Sequence, residues 1–219
     1  MTDLIRRNLS FFLPYLLWLL TGAVLQLVFS QAELFLYVNA GYSAGADFFF
    51  QYCTHLGDGL FYGAVVLLLL FARYQYALMA VLSFAVSSLV AQLLKRLAFA
   101  DELRPKAFFE KSGQVLHWVE GVQVHSHNSF PSGHATTAFS VFCLLSLLMV
   151  NKKWGLCWFC LAALAAYSRV YLGQHFPADI YAGSVIGTLT SLTCYLGVKG
   201  YLDKRPRPWL EGSLMNLRR

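Results

Sequence analysis

The sequence predicts an all-α fold, a polytopic membrane bundle of six transmembrane helices. Of the 219 residues, 58% are hydrophobic and only 13% are charged, whereas soluble domains carry about 25% charged residues. The mean hydropathy is +0.53. Six apolar segments approach the length of about 20 residues that a helical span needs. Helices are favoured because a bilayer offers no water to satisfy free backbone groups.

The predicted spans follow one another along the whole chain, at residues 11–30, 58–73, 76–95, 133–150, 154–170 and 178–199. We interpret the first as a retained anchor, because its apolar run exceeds the roughly 7–15 residues of a cleaved signal. Residues 31–57 are mixed and are expected to include an interfacial helix. We predict one membrane domain over residues 1–199 and a loosely ordered, basic cytoplasmic tail over residues 200–219.

The basic residues predict the orientation of the bundle. If the N-terminus is cytoplasmic and six spans alternate, 11 of the 17 Lys and Arg residues lie inside, in accord with the positive-inside rule. The remaining six lie outside: Lys95, Arg96, Arg104, Lys106, Lys111 and Arg169. All six histidines also fall on the outer side: His55, His117, His125, His127, His134 and His175. We therefore expect an inner (plasma) membrane protein with cytoplasmic termini and a functional outer, periplasmic face.

The cations and imidazoles on the outer face suit an anionic ligand, and ionisable groups at membrane depth indicate function. The placement of the charges argues against nucleic acid as a partner, because they flank apolar segments and form no basic stripe interleaved with aromatic residues. Three polar stretches lie at the outer ends of predicted spans, where we expect them to meet. They are KRLAFADELRP (95–105), PSGH (131–134) and SRVYLGQHFPAD (168–179).

The stretch PSGH is typical of a helix start. Pro131 suits the first helical turn, and we expect Ser132 and Gly133 to present free backbone N–H groups that bind phosphate. Glycine also lets a ligand approach the backbone closely, and His134 is within reach of the same ligand. If the stretch stood alone, an ordinary helix N-cap would be the preferred interpretation, because such caps are common.

The stretch from Ser168 to Asp179 indicates nucleophilic chemistry. His175 and Asp179 are four residues apart, so on a helix they share one face. The carboxylate can then fix the imidazole tautomer and leave the other ring nitrogen as a nucleophile. Arg169 offers a planar fork for two phosphate oxygens. The alternative is a helix cap with a surface arginine.

The first stretch adds three cations, Lys95, Arg96 and Arg104. Lys95 and Arg96 could simply anchor the third span by placing their charges at the membrane surface. Pro105 favours an extended conformation for Arg104, so its side chain could extend back over the site.

Together these motifs resemble the type 2 phosphatidic acid phosphatase superfamily, over about residues 39–199. The family signature is Lys, six residues, Arg-Pro; then Pro-Ser-Gly-His; then Ser-Arg, five residues, His, three residues, Asp. The second and third elements are complete here. In the first, eight residues separate Lys95 from Arg104 and seven separate Arg96 from it, so the insertion must be absorbed where the helix ends. The stretch THLGDG (54–59) also resembles the family, and we assign it a supportive packing role.

The resemblance implies a membrane phosphatase that uses no metal or other cofactor and acts through a phosphohistidine. His175 would be the nucleophile, Asp179 would orient it, and His134 would act as general acid and base. The implied phosphate-binding groups are Lys95 (with Arg96 as its alternative), Arg104, Ser132, Gly133 and Arg169. The substrate, and the only partner besides membrane lipids, would be a lipid phosphate or diphosphate such as phosphatidic acid, phosphatidylglycerol phosphate, undecaprenyl diphosphate or lipid A.

Two other functions are alternatives: a phosphotransferase that passes the phosphoryl group to another lipid, and a non-catalytic relative that only binds lipid phosphate. An inactive relative should have lost a motif histidine, and both are present. A transporter would spread ionisable residues through its spans, which is not the pattern here. The GxxxG of Gly183 and Gly187 predicts close helix packing, which we expect within the monomer.

Overall fold

The computed structural model describes residues 2–110 and 112–218, so Lys111 and Arg219 of the orientation argument lie outside it. All regular secondary structure in these two ranges is helical. The α-helices are α1 Thr2–Arg7, α2 Leu9–Val28, α3 Gln31–Ala40, α4 Ala44–Cys53, α5 Gly59–Ala72, α6 Tyr74–Leu93, α7 Pro105–Phe109, α8 Gly133–Leu148, α9 Gly155–Tyr171, α10 Pro177–Lys204 and α11 Pro208–Glu211. Shorter 3₁₀ turns lie at Thr54–Gly57, Lys152–Trp154 and Leu214–Arg218, and a π-helical turn at Leu94–Ala98.

The all-α prediction is confirmed, and each of the six predicted spans carries a helix. Two helices, Leu9–Val28 and Tyr74–Ala98, are by themselves long and apolar enough to cross a membrane. A third span results if Ala44–Gly57 and Gly59–Ala72, which meet at 55°, are one bent span. The other three helices do not pass this test of length and composition, so six transmembrane spans remain a prediction.

The centre of the bundle is α8, which packs against α6, α9 and α10. Its residues are buried over most of its length, because α8 has apolar or small side chains on all of its faces. A helix so enclosed by protein holds its first turn in a fixed place. That first turn carries His134.

Helices α8 and α10 approach each other closely at two glycines. A Cβ atom on Gly183 would lie 2.7 Å from the carbonyl oxygen of Ser132, and one on Gly187 would overlap the carbonyl oxygen of Thr136. The GxxxG motif therefore packs within the monomer, as predicted, because only glycine leaves room for the backbone of α8. The contact also brings the first turns of α8 and α10 together.

The basic segments that were assigned to the cytoplasm gather at the opposite end of the bundle from these first turns. The N–H of Tyr74 donates to the carbonyl of Gly212 at 2.9 Å, and the Ser10 hydroxyl bonds to the carbonyl of Lys152. The expectation of a loosely ordered tail is wrong for its first part. Helix α10 continues to Lys204. Leu210 is buried, because this apolar residue of the tail packs against the bundle.

Candidate active site

His175 and Asp179 form a buried pair at the start of α10. Pro177 is the first helical residue and Phe176 is the N-cap, and the Phe176 N–H donates to Asp179 Oδ2 at 2.9 Å. His175 Nδ1 lies 3.1 Å from the same oxygen. A carboxylate oxygen accepts, so Nδ1 carries the proton and Nε2 keeps its lone pair. Asp179 therefore both caps the helix and orients His175. The helix cap and the oriented histidine, which were considered as alternatives for this stretch, occur together.

A third donor to Asp179 was missed by the sequence analysis. The hydroxyl of Ser129, itself buried, donates to Asp179 Oδ2 at 2.5 Å. Ser129 lies in a loop two residues before Pro131 and belongs to none of the three motifs. The sequence marked Ser129 only by its position shortly before the PSGH stretch. Ser and Asn are also common turn residues, so this position alone does not indicate a functional role.

The environment of His175 favours a neutral imidazole. Burial is the main cause that lowers the pKa of His175 well below its usual range, and the charges of Arg104, Arg169 and Lys95 lower it further. A neutral imidazole is what nucleophilic attack requires. The loop between α9 and α10 that carries His175 is held by the Arg169 carbonyl, which accepts from the N–H groups of both Gln174 and His175 at 2.9 and 3.1 Å.

Arg104 extends back over the site, as expected. Its Nε donates to the carbonyl of His127 at 3.0 Å and its Nη1 to the carbonyl of Gln174 at 3.1 Å. The guanidinium therefore ties the long outer loop to the loop that carries His175. Burial lowers the pKa of Arg104, yet a guanidinium remains charged at any ordinary pH.

Lys95 and Arg96 have different surroundings. Lys95 Nζ donates to the carbonyl of Asn128 at 2.8 Å, and Arg104 Nη2 lies 3.4 Å from the same oxygen. Arg96 is exposed. Both residues lie in the π-helical turn Leu94–Ala98, whose closing bond runs from the N–H of Phe99 to the carbonyl of Leu94. A π-turn accommodates one extra residue within a helix, so it takes up one of the two residues by which the spacing from Lys95 to Arg104 exceeds the family signature.

Arg169 is buried and only partly satisfied. Its Nη1 donates to Thr54 Oγ1 at 2.8 Å, while its Nε has no hydrogen-bond partner within residues 2–110 and 112–218. An unpaired buried donor costs about 1–3 kcal/mol. A phosphate oxygen at this place would satisfy the donor, so the site is suited to an anion.

His134 pairs with an acidic residue that the sequence analysis did not single out. His134 Nε2 lies 2.5 Å from Asp58 Oδ1, and His55 Nδ1 lies 2.6 Å from Asp58 Oδ2. Supportive packing is therefore an incomplete account of the stretch THLGDG. It contributes Thr54 to Arg169 and Asp58 to His134, in addition to Gly57, where a Cβ would lie 2.9 Å from the His134 carbonyl.

Ser132 and Gly133 have different roles at the start of α8. The expectation of a free N–H on Ser132 is wrong, because this group donates to the carbonyl of Asp179 at 3.0 Å. Ser132 is fully buried, and its hydroxyl caps α8 by accepting from the Ala135 N–H. The helix-cap interpretation is correct for Ser132. At Gly133 an added Cβ would meet nothing within 4 Å, so a ligand has room to approach the backbone there.

The three stretches thus converge on one small region, as predicted. It holds an imidazole whose Nδ1 faces a carboxylate, three cations and a second imidazole paired with a carboxylate. Such a set can bind a phosphoryl group, attack its phosphorus and supply a proton to the departing oxygen.

Comparison with known proteins agrees with this chemistry. The family model described as the PAP2 superfamily matches residues 76–203. A lipid A 4'-phosphatase of Bacteroides thetaiotaomicron is 27% identical over 171 residues, 72% of this chain and 72% of that protein. Undecaprenyl-diphosphatase BcrC of Bacillus subtilis is 30% identical over 83 residues, 37% of this chain and 42% of that protein. Matches to two further curated relatives span only 31% and 34% of those proteins.

A solved structure shares the fold. It is the crystal structure of a transmembrane PAP2 type phosphatidylglycerolphosphate phosphatase from Bacillus subtilis, with a TM-score of 0.62 and 23% sequence identity. The superposition covers 92% of this chain and 98% of that chain. At this identity the likeness concerns the fold alone.

Proposed function

Because the chain belongs to the PAP2 superfamily, we propose that it hydrolyses a membrane lipid phosphate or diphosphate through a phosphohistidine on His175. The observation that carries the proposal is the buried His175–Asp179 pair, with Nδ1 held at 3.1 Å and with Lys95, Arg104 and Arg169 close enough to act on the charge of His175. This arrangement leaves a neutral nucleophilic nitrogen in a positively charged site.

In the first step, Nε2 of His175 attacks phosphorus and the bond to the leaving oxygen breaks. His134 gives its proton to that oxygen, so that the lipid departs as an alcohol or a monophosphate. The cations stabilise the charge that develops on the phosphoryl oxygens. Asp179 stabilises the positive charge that His175 acquires, as an aspartate does beside a catalytic histidine.

In the second step, water attacks the phosphorus of the phosphohistidine. His134, now neutral, takes a proton from that water, the P–N bond breaks and His175 returns to its neutral form. Inorganic phosphate leaves and His134 is protonated again. The chain's own residues supply each acid, base and nucleophile, so the proposed reaction needs no metal.

We place the site on the outer face of the inner membrane, with both termini in the cytoplasm. Support comes from the basic-residue count and from the position of the site at the end of the bundle opposite the basic tail. The lipid classes named for the relatives, lipid A and undecaprenyl diphosphate, are candidate substrates, as are phosphatidic acid and phosphatidylglycerol phosphate. In a variant whose five native cysteines are replaced by serine, an impermeant reagent that labels a single cysteine at exposed His125, but not one in the tail, in intact cells would support this orientation. The reverse labelling would contradict it.

The function is tested by measuring phosphate release from these four lipids in detergent, with and without a chelator. We expect release from at least one lipid, unchanged by the chelator. Activity that requires an added metal would contradict the histidine route. Labelled phosphate that appears on another lipid instead of in solution would favour the phosphotransferase.

Two single substitutions, at Lys95 and at Arg96, test which of these cations acts as the lysine of the first motif. Lys95→Ala is expected to lower kcat/KM by about 10- to 100-fold, because one charge-assisted contact to the transition state is lost. Arg96→Ala is the matched control and should stay within about 3-fold of the wild type, since Arg96 is exposed in the same turn. Initial rates at subsaturating lipid give both values, and the opposite ranking would assign the role to Arg96.

The pH dependence should report the lowered pKa of His175. The nucleophile must be neutral, and a histidine whose pKa lies well below 6.5 stays neutral as the pH falls through that value. We therefore expect the acid limb of kcat/KM to lie below pH 6.5. Two substrates whose own phosphate pKa values differ will separate enzyme from substrate ionisation. A limb at or above pH 6.5 with both substrates would contradict a buried, neutral His175.

A further inference from the structure

We propose that Asp58 is a positioning residue for His134, which holds the imidazole by Nε2 and stabilises its protonated form before the first step. The inference rests on the proposed function, in which His134 is the acid. It assigns a reaction role to the stretch Thr54–Gly59, which lies outside the three motifs.

The side chain of Asp58 is committed to imidazoles and not to its own helix. Asp58 is the N-cap of α5, where an aspartate usually accepts a hydrogen bond from the N–H groups of the first turn. It makes no such bond here. Instead, Oδ1 lies 2.5 Å from His134 Nε2 and Oδ2 lies 2.6 Å from His55 Nδ1. Helix capping alone therefore does not explain its orientation.

The backbone around Asp58 fixes it against His134. The helical segment Ala44–Gly57, which ends in the 3₁₀ turn Thr54–Gly57, meets α5 at 55°. At this bend Gly57 leaves no room for a side chain beside the His134 backbone. Thr54, in the same turn, accepts a hydrogen bond from Arg169. One rigid turn thus sets the position of both Asp58 and a phosphate-binding cation.

The charges around His134 explain why this residue needs a neighbouring carboxylate to act as a general acid. The charged and titratable groups that act on it are Arg169, Arg104, His175 and Asp58. Burial and the two arginines oppose a positive charge on the imidazole, and Asp58 is the carboxylate that favours it. With Nε2 facing Asp58, Nδ1 is the ring nitrogen left to donate to the leaving oxygen, because the hydrogen bond made by one ring nitrogen sets the role of the other.

The two His–Asp pairs of the site differ in exposure. The side chain of His175 is 2% exposed, whereas that of His134 is 33% exposed. Contact with solvent reduces the cost of a charged imidazole, so a carboxylate partner can offset more of that cost at His134 than at His175. The mechanism needs His175 neutral and His134 protonated.

Asp58→Asn tests this role through the pH profile. Without the carboxylate, protonated His134 is less stable, so the basic limb of kcat/KM should move down by about one pH unit. We expect kcat/KM at pH 7.5 to fall by up to about 10-fold and to recover at pH 5.5. Asp58→Glu, which keeps the carboxylate, should restore the basic limb towards its wild-type position.

The matched control is Asp47→Asn, which disrupts another His–Asp pair, with Asp47 Oδ2 3.0 Å from His117 Nε2. Its pH limbs should not move. Asp58→Ser keeps a good N-cap residue without a carboxylate and serves as a second variant, with thermal unfolding in detergent as the folding check. A folded Asp58→Asn or Asp58→Ser protein whose activity falls equally at every pH, or does not fall, would overturn the inference. Absence of phosphate release by the wild type would instead refute the proposed function.

Discussion

His175→Ala is expected to lower phosphate release by about 10,000-fold or more while the protein still inserts and folds. The substitution removes the attacking nitrogen, and removal of a nucleophile from a covalent mechanism costs a factor of this order. The side chain of His175 is hydrogen-bonded to Asp179, so a small loss of thermal stability is expected as well. Phosphate release and thermal unfolding in detergent measure the two effects separately.

His125→Ala is the matched control for this substitution. His125 lies on the same predicted face of the membrane but is exposed, so its loss should change turnover by less than about 3-fold. If His175→Ala keeps near-normal turnover, His175 is not the nucleophile.

Asp179→Asn should have the second-largest effect, a fall in kcat of about 1,000-fold with little change in KM. One oxygen of Asp179 accepts from His175 Nδ1, the Phe176 N–H and the Ser129 hydroxyl. An amide cannot accept so strongly and allows the wrong imidazole tautomer, an effect of up to about 10,000-fold in a catalytic triad. The phosphate-binding cations are untouched, so binding should persist.

Steady-state kinetics with the preferred lipid separates these two quantities. A loss confined to KM would mean that Asp179 helps only to bind the substrate. A loss in kcat of less than about 10-fold would mean that His175 does not depend on the carboxylate for its tautomer.

The helices and the meeting of the three motifs could be predicted because both depend on local patterns. Apolar runs set the positions of the helices, and the motifs lie at the ends of those runs. The resemblance to the type 2 phosphatidic acid phosphatases is confirmed by the match over residues 76–203. The pairing of His175 with Asp179 was predicted from a shared helix face, but His175 lies two residues before α10 and contacts Asp179 across the N-cap.

The parts that were missed depend on contacts between distant segments. Asp58 lies 76 positions before His134 in the chain, and only the packing of the Thr54–Gly57 turn on α8 brings them together. Ser129 is in an irregular loop with no periodicity. The N–H of Ser132 was expected to be free because its acceptor, the carbonyl of Asp179, becomes available only through the close approach of α8 and α10.

The most direct test of the account is to trap the phosphoenzyme. An aryl phosphate with a good leaving group needs little help from the acid, so His134→Ala should complete the first step and stall at the second, where water must be activated. With ³²P-labelled substrate and rapid quenching, we predict an acid-labile, alkali-stable label on His175 of this variant, absent once His175→Ala is added. A label on another residue, or one that persists without His175, would contradict the account.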